Sequence, residues 1–356
     1  MNLNKCINIL NINNVDAMLL TDEANMHYVC GFSPSEGMVL ITKKSNSYHI
    51  VDSRYTETAQ LHSKTNGLCV VEINDGFMNT LCELIAKEKI STLYFENETI
   101  SLKLYNNIKN NLSNTELLPL NNEMMGLRNK KDAGEIELIK EANKIAEKSF
   151  IELLNFVSPG KSEKELASYF DYLMSKNGSD GVSFDTILLT GSHTSMPHGV
   201  PDDRLVREGD FILFDFGATY KGYHSDMTRT VAVKYATDEM HKDYTLVKKA
   251  QYAGVQALKA GTKCSDVYKA AFDVLEQKDM AKYFRHSLGH GIGLEIHEGY
   301  SAGPNSKDVF EIGNVTSIEP GIYIPDKYGI RIEDMLYISP NGTENLSNIT
   351  KELIIL

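Results

Sequence analysis

The chain lacks most marks of secreted, membrane-bound or nucleotide-binding proteins. Its five cysteines, Cys6, Cys30, Cys69, Cys82 and Cys264, are scattered over 356 residues and none forms a CxxC pair. An odd, dispersed number favours free thiols in a reducing compartment over a disulfide framework. Positive charge is scarce, with Lys+Arg 36 against Asp+Glu 48 and a net charge of −12. That balance disfavours general binding to nucleic acid or to anionic membranes. No apolar run approaches the ~20 residues of a membrane span. The N-terminal stretch MNLNKCINILNINNVDAMLL has neither a long apolar core nor a small-residue cleavage site. These absences predict a cytoplasmic protein with no membrane and no nucleic-acid partner. A phosphate-binding glycine loop, an internal repeat and a low-complexity tract are also missing. What remains, 42% hydrophobic and 24% charged, has an ordinary soluble composition and is long enough for two domains.

The first part alternates short apolar runs with helical spacing. Ala17–Thr21, Met38–Thr42, Tyr48–Val51, Cys69–Ile73 and Thr92–Phe95 read as strands, and Asp75–Ile90 and Ser101–Leu112 as helices. The alternation predicts an α/β domain over residues 1–125. Leu117-Leu118-Pro119-Leu120 followed by Asn121-Asn122 ends that pattern, and a second domain is expected over 126–356. It opens with a long helix from Lys131, stopped by Pro159-Gly160, and continues with a helix from about Glu163 to Lys176. The texture after Phe184 is strand-rich, with further helices at about 238–260 and 265–277.

Five residues in this second part stand out: Asp215, Asp226, His290, Glu319 and Glu333. Their segments read FDFG, HSDMTRT, SLGHGIGLEIHE, SIEPGIYIP and GIRIEDM, each otherwise glycine-rich or apolar. A carboxylate inside an apolar run is costly unless something pairs with it. Four of them converging would repel one another, and two divalent cations would remove the conflict; Asp, Glu and His ligands suit such ions. Asp215 ends the apolar run Phe211–Phe214, and Gly217 and Gly222 mark a reversal into a strand Tyr223–Val233. A hairpin could then bring Asp226 opposite Asp215, with His224, Asp226 and Thr228 on one face. A second hairpin, turning at Pro325–Gly329, could bring Glu319 to Glu333. Taken singly, each of these residues is as well explained by a surface strand or a loop. The ordered set is what points to a two-metal hydrolase.

The segments FDTILLTGSHTSMPHG, GDFILFDFGATYKGYHSDMTRT, HSLGHGIGLEIHEG and TSIEPGIYIP…GIRIED resemble the pita-bread metallopeptidases, in the branch of aminopeptidase P and prolidase. NMHYVCGFSPSEGMVLIT resembles the start of that family's creatinase-type accessory domain. The resemblance covers essentially the whole chain. It implies an α/β (α+β) fold, with a pita-bread catalytic domain behind a smaller creatinase-like one. It implies that Asp226 and Asp215 bind one metal, that His290 and Glu319 complete the shell of the other, and that Asp215 and Glu333 bridge. Two divalent ions per chain are expected, Mn first, with Co or Zn as alternatives. His198 and His297 match histidines at the substrate, with His198 the donor to the oxyanion, and Glu319 also takes the proton of the attacking water. Phe184 matches a residue that receives proline, and His286, Tyr323 and Arg331 match pocket positions. Thr228 is expected to orient Asp226 from behind the ligands. A homodimer is also implied.

The resemblance leaves the substrate length open. Some prolidases grip the dipeptide carboxylate with an arginine shortly after the position of His297, and Glu298–Pro304 here contains no basic residue. The sequence therefore leans to an Xaa-Pro aminopeptidase acting on peptides with proline second, with an Xaa-Pro dipeptidase as the alternative. Methionine aminopeptidase, a metal-free creatinase-like hydrolase and a non-catalytic binding module are further alternatives. The first is disfavoured by the N-terminal domain, the other two by the retained ligand set.

Overall fold

The computed structural model describes residues 2–44 and 46–356. The chain divides into two units, Met1–Arg128 and Asn129–Leu356.

The first unit is built on a six-stranded mixed sheet in the order Cys69–Glu72, Tyr48–Val51, Gly37–Thr42, Ala17–Leu20, Thr92–Phe95, Glu116–Pro119. Ala17–Leu20 pairs antiparallel with Gly37–Thr42 and parallel with Thr92–Phe95. It is buried at all four positions, which is why AMLL is apolar without alternation. Parallel pairs need crossovers; Thr56–Asn66 supplies the one between Tyr48–Val51 and Cys69–Glu72, and the helices Phe77–Glu88 and Leu102–Asn111 lie in the others. Ser101 starts the last of these by accepting a hydrogen bond from the Leu104 amide. The latter two helices are slightly shorter than the sequence pattern predicts, because their ends are set by caps rather than by apolar spacing.

In the second unit the helix Ala133–Leu154 begins with a capping box, in which Asp132 and Glu135 satisfy each other's backbone amides. Together with Glu163–Lys176 it covers one face of the sheet Ile187–Thr190, Phe211–Phe216, Met227–Ala232. The apolar layer there contains Phe150, Phe170, Ile212, Phe214, Phe216, Met227 and Val231. The helices Asp238–Ala257 and Cys264–Glu276 cover a second layer with Val267, Ala271, Ile318, Ile322, Ile330, Ile332 and Leu336. On the strand Phe211–Phe216 the residues that alternate with the first layer turn to the space on the other side of the sheet. Alternation along a strand thus selects Asp215, between Phe214 and Phe216, to face that space.

Two hairpins carry most of the acidic residues. Phe211–Phe216 pairs with Met227–Ala232 in a register that sets Thr228 opposite Asp215. The expected partner, Asp226, lies just before the strand, two residues out of that register. The single expected strand Tyr223–Val233 is broken into Tyr223–His224 and Met227–Ala232. The break follows from Ser225, whose hydroxyl accepts from the Ala218 amide at 2.9 Å and whose own amide donates to the Ala218 carbonyl. In the second hairpin, Ile318 faces Asp334 and Gly321 faces Arg331. Glu319 and Glu333 fall opposite each other at the gap between those paired segments.

Candidate metal centre

Asp226, His290 and Glu333 bring ligand atoms within 4.8 Å of one another. The Nε2 of His290 lies 3.4 Å from Asp226 Oδ2 and 3.6 Å from Glu319 Oε1. Asp215 completes the group and is ion-paired to Arg331. The peptide around His290 is clamped on both sides. It bridges to Ser301 and, through Gly291, to Thr316. A Cβ on Gly289 would fall 1.9 Å from the Ser317 carbonyl, and one on Gly291 would fall 2.0 Å from that of Glu298. Only glycine on each side lets the backbone pass this close, so the flanking glycines fix where the imidazole points.

The charged side chains here are almost wholly buried. Asp226 is 5% exposed and Glu333 1%. Burial, then the neighbouring Asp215 and Glu319, push Asp226 well above the carboxylate range. Burial and then Asp226 do the same to Glu333. Burial and then Glu333 push Glu319 up to about 8. Burial opposes the charge on Arg331, but Tyr323, Asp215 and Glu319 hold its pKa above the usual value. One guanidinium among four carboxylates leaves an excess of negative charge. Glu333 Oε2 receives the Thr228 hydroxyl at 2.7 Å, whereas Oε1 is buried with no hydrogen-bond partner. A buried acceptor without a donor is the place where a cation fits. The donor set of carboxylate oxygens and one imidazole suits divalent ions. The residues present therefore fit the metal chemistry that their order suggests.

Thr228 corrects one expectation. Its hydroxyl donates to Glu333 and accepts from Arg331 Nε at 3.0 Å, rather than orienting Asp226. The reason is the register: Thr228, not Asp226, sits across from Asp215.

The acidic group opens into a cavity of about 630 Å³. Phe184, His198, His286 and His297 line it, as do Arg331 and the five candidate ligands. The ring of His297 lies 4.2 Å from that of His290, edge to face. Tyr323 sits behind the wall, tied to His286 Nε2 at 2.9 Å and receiving Arg331 Nη1 at 2.7 Å. Burial and then Arg331 depress His286 to about 3, so it stays neutral. Ile187 and Ile296 add apolar surface near Phe184.

Some participants left no signal in the sequence. Ser317 accepts from the His290 amide at 3.1 Å and reaches Glu319 Oε1 at 3.4 Å. Arg229, 1% exposed, pairs with Asp334 at 2.8 Å and donates to the Glu333 carbonyl. A second group of acids and histidine, Glu163, His193 and Asp202, also has metal-like spacing. Its oxygens are occupied differently. Glu163 accepts from the amides of Thr190 and Asp202 and from His193 Nδ1. Asp202 accepts from Arg204. Each oxygen of Glu163 thus has a backbone amide and shares the imidazole.

The model of metallopeptidase family M24 matches residues 137–340, and that of the creatinase/prolidase N-terminal domain matches residues 2–130. The chain belongs to metallopeptidase family M24. It is a peptide hydrolase with that family's mixed α/β fold, a creatinase-type domain followed by a pita-bread catalytic domain. Among solved structures it is similar to a Xaa-Pro dipeptidase from Bacillus anthracis, with 37% identity, TM-score 0.93 and 99% of each chain covered. It is similar to an X-Pro aminopeptidase from Thermotoga maritima, with 34% identity and TM-score 0.92 over 96% of this chain and 98% of that one. A curated relative, the Xaa-Pro dipeptidase of Pyrococcus furiosus, is 33% identical over 99% of both chains. Among the described residues no helix is long and apolar enough to cross a membrane.

Proposed function

We propose that this M24 hydrolase is a Xaa-Pro dipeptidase that uses two divalent metal ions. The observation that carries the reading is full-length similarity to Xaa-Pro dipeptidases in a chain whose cavity joins an apolar wall and three histidines to the five-ligand group. This shifts the balance from the aminopeptidase that the sequence favours to its alternative. Asp215, Asp226, His290, Glu319 and Glu333 would hold the ions, with Mn favoured by the carboxylate-rich set and Co or Zn as alternatives. Such ions supply Lewis-acid polarisation of the scissile carbonyl and a water that ionises near neutral pH. Glu319 would take the proton of the attacking water. His198 donates to the carbonyl oxygen as negative charge develops on it. His297 contacts the substrate, and Phe184 and Ile187 receive the proline ring.

The aminopeptidase reading keeps one observation in its favour. Among the described residues lining the cavity, Arg331 is the only arginine or lysine, and it is engaged with Asp215, Thr228 and Tyr323. Among the described residues lining the cavity, no uncommitted guanidinium or ammonium is present to pair with the carboxylate of a dipeptide. The test compares kcat/KM for Xaa-Pro dipeptides and Xaa-Pro-Xaa tripeptides. A dipeptide preference supports the proposal. Equal or better cleavage of tripeptides returns the assignment to aminopeptidase. We also expect a homodimer, by resemblance to the family; a mass of one chain in light scattering at micromolar concentration would count against it. The five free cysteines, three of them buried, support a reducing, cytoplasmic setting.

A further inference from the structure

His198 stands on a segment that leaves the strand Ile187–Thr190, makes the short helical turn Gly191–Ser195, and runs on through Met196-Pro197-His198-Gly199 to Asp202. A segment of this kind has few backbone partners of its own, yet one end of it must hold a side chain at the cavity. The residue that closes the segment is Glu163, the first residue of the helix Glu163–Lys176, itself started by the Ser162 cap. The Glu163 side chain is fully buried. One carboxylate oxygen accepts the amide of Thr190 at 2.7 Å, where the segment begins. The other accepts the amide of Asp202 at 3.0 Å, where it ends. Both oxygens lie within 3.0 Å of His193 Nδ1, in its middle.

The His193 ring carries this restraint to the neighbour of His198. A Cβ placed on Gly199 would lie 3.3 Å from His193 Nε2 and 2.8 Å from Leu189 Cδ1. The backbone directly after His198 therefore rests on the ring that Glu163 holds. From the other side, the Gly329 amide donates to Thr194 Oγ1 at 2.7 Å, and Arg331 Nη1 reaches the Pro197 carbonyl at 3.4 Å. His198 is held between a clamp made by Glu163 and a contact with the strand that carries Arg331.

We infer that Glu163, acting through His193, is a positioning residue for His198. It sets the placement of the His198 imidazole at the scissile carbonyl without touching substrate. The inference rests on the substrate role given to His198 under Proposed function.

Two measurements test it. The first is hydrogen exchange of metal-free wild type, Glu163→Gln and His193→Leu. Glutamine must turn its NH2 toward one of the two backbone amides, so one end of the segment is released. Exchange over residues 190–202 should rise at least ~10-fold, with the peptides bearing the five candidate ligands unchanged. The second is steady-state kinetics of the metal-loaded enzyme. In wild type, Glu163→Gln should lower kcat by ~10-fold or more, the scale of losing an orienting partner, and change KM far less. In a His198→Ala background the same substitution should change kcat by less than ~2-fold, because residues acting as one unit do not add. If Glu163→Gln does not fold, His193→Leu carries the kinetics, and because it leaves the Thr190 and Asp202 amides on Glu163 its exchange should rise over 193–199, the middle of the segment, with the two ends unchanged. Unchanged exchange over 190–202 would overturn the clamp. An equal loss of kcat with and without His198 would reduce Glu163 to a fold-stabilising residue and overturn its positioning role. Full turnover by His198→Ala alone would overturn the substrate role of His198, and the positioning role with it, whatever the exchange data say of the clamp.

Discussion

Glu163 and Glu333 are both buried carboxylates beside a histidine and an aspartate, in the same unit and with similar spacing, yet their oxygens are filled differently. At Glu163 every donor is supplied by the chain: two backbone amides and an imidazole. Glu96, in the other unit, follows the same rule with the amides of Thr21 and Asp22 and the Asn25 side chain. At Glu333 one oxygen takes a threonine hydroxyl and the other takes nothing, while Asp226 and Asp215 add like charge. Residue types at metal-ligand spacing do not separate the two cases. The supply of donors does: a carboxylate saturated by amides organises backbone, and one left open among like charges calls for a cation.

The largest expected effect comes from the open group. Glu333→Gln in the metal-loaded enzyme should lower kcat/KM by ~10³-fold, the upper end of what one pre-organised transition-state contact is worth. The same change in metal-free protein should leave the melting temperature unchanged or raised, because it removes a carboxyl whose ionisation burial and Asp226 oppose. A wild-type rate in the first assay, or a clear drop in melting temperature in the second, would erase the distinction drawn here. Glu163→Leu should do the reverse to stability. It strands two buried amides and an imidazole and should cost about 3–5 kcal/mol, as breaking a buried pair does, read by urea unfolding of metal-free protein. A loss within 0.5 kcal/mol, roughly that of an ordinary surface substitution, would mean the clamp bears no load.

His198→Ala comes next, with ~10²–10³ lost in kcat and metal content retained. Loss of metal along with the rate would move His198 into the ligand set. The smallest effect is a pH slope. Glu319 has its folded pKa raised, to about 8, above the usual carboxylate value. The folded metal-free state therefore binds more protons than the unfolded chain from about pH 4.5 up to about pH 8. Its stability should fall as pH rises through that window, by at most about 1.4 kcal/mol per pH unit from this group. Glu319→Gln should flatten the slope, seen as a difference in urea midpoints at pH 5 and pH 8. An identical slope in both proteins would mean the group is solvated.

The two hairpins show how far local pattern carries. In FILFDFG, Asp215 falls between Phe214 and Phe216, which pack under the helices, and strand alternation turns the carboxylate to the other face. Val315–Ile318 and Ile330–Glu333 likewise hand Glu319 and Glu333 to one another through a turn. The partners of those carboxylates were less legible. Thr228 reaches Glu333 rather than Asp226, because Ser225 turns to bond Ala218 and breaks the strand before Asp226. A two-residue displacement of that kind depends on one hydroxyl finding one amide, and no periodicity records it.

The sequence by itself determined the ligand types, their order, the helices that begin near Lys131 and Glu163, and the side of its strand on which Asp215 stands. Those follow from interactions within a few residues: caps, alternation and glycine clearance. Only the tertiary structure decided which buried carboxylate is satisfied. The amides that fill Glu163 lie 27 and 39 residues away, and the hydroxyl on Glu333 lies 105 residues away. Donors at such separations meet an acceptor only after the helices and sheets have packed, and that packing makes one acid a scaffold and leaves the other open for a metal.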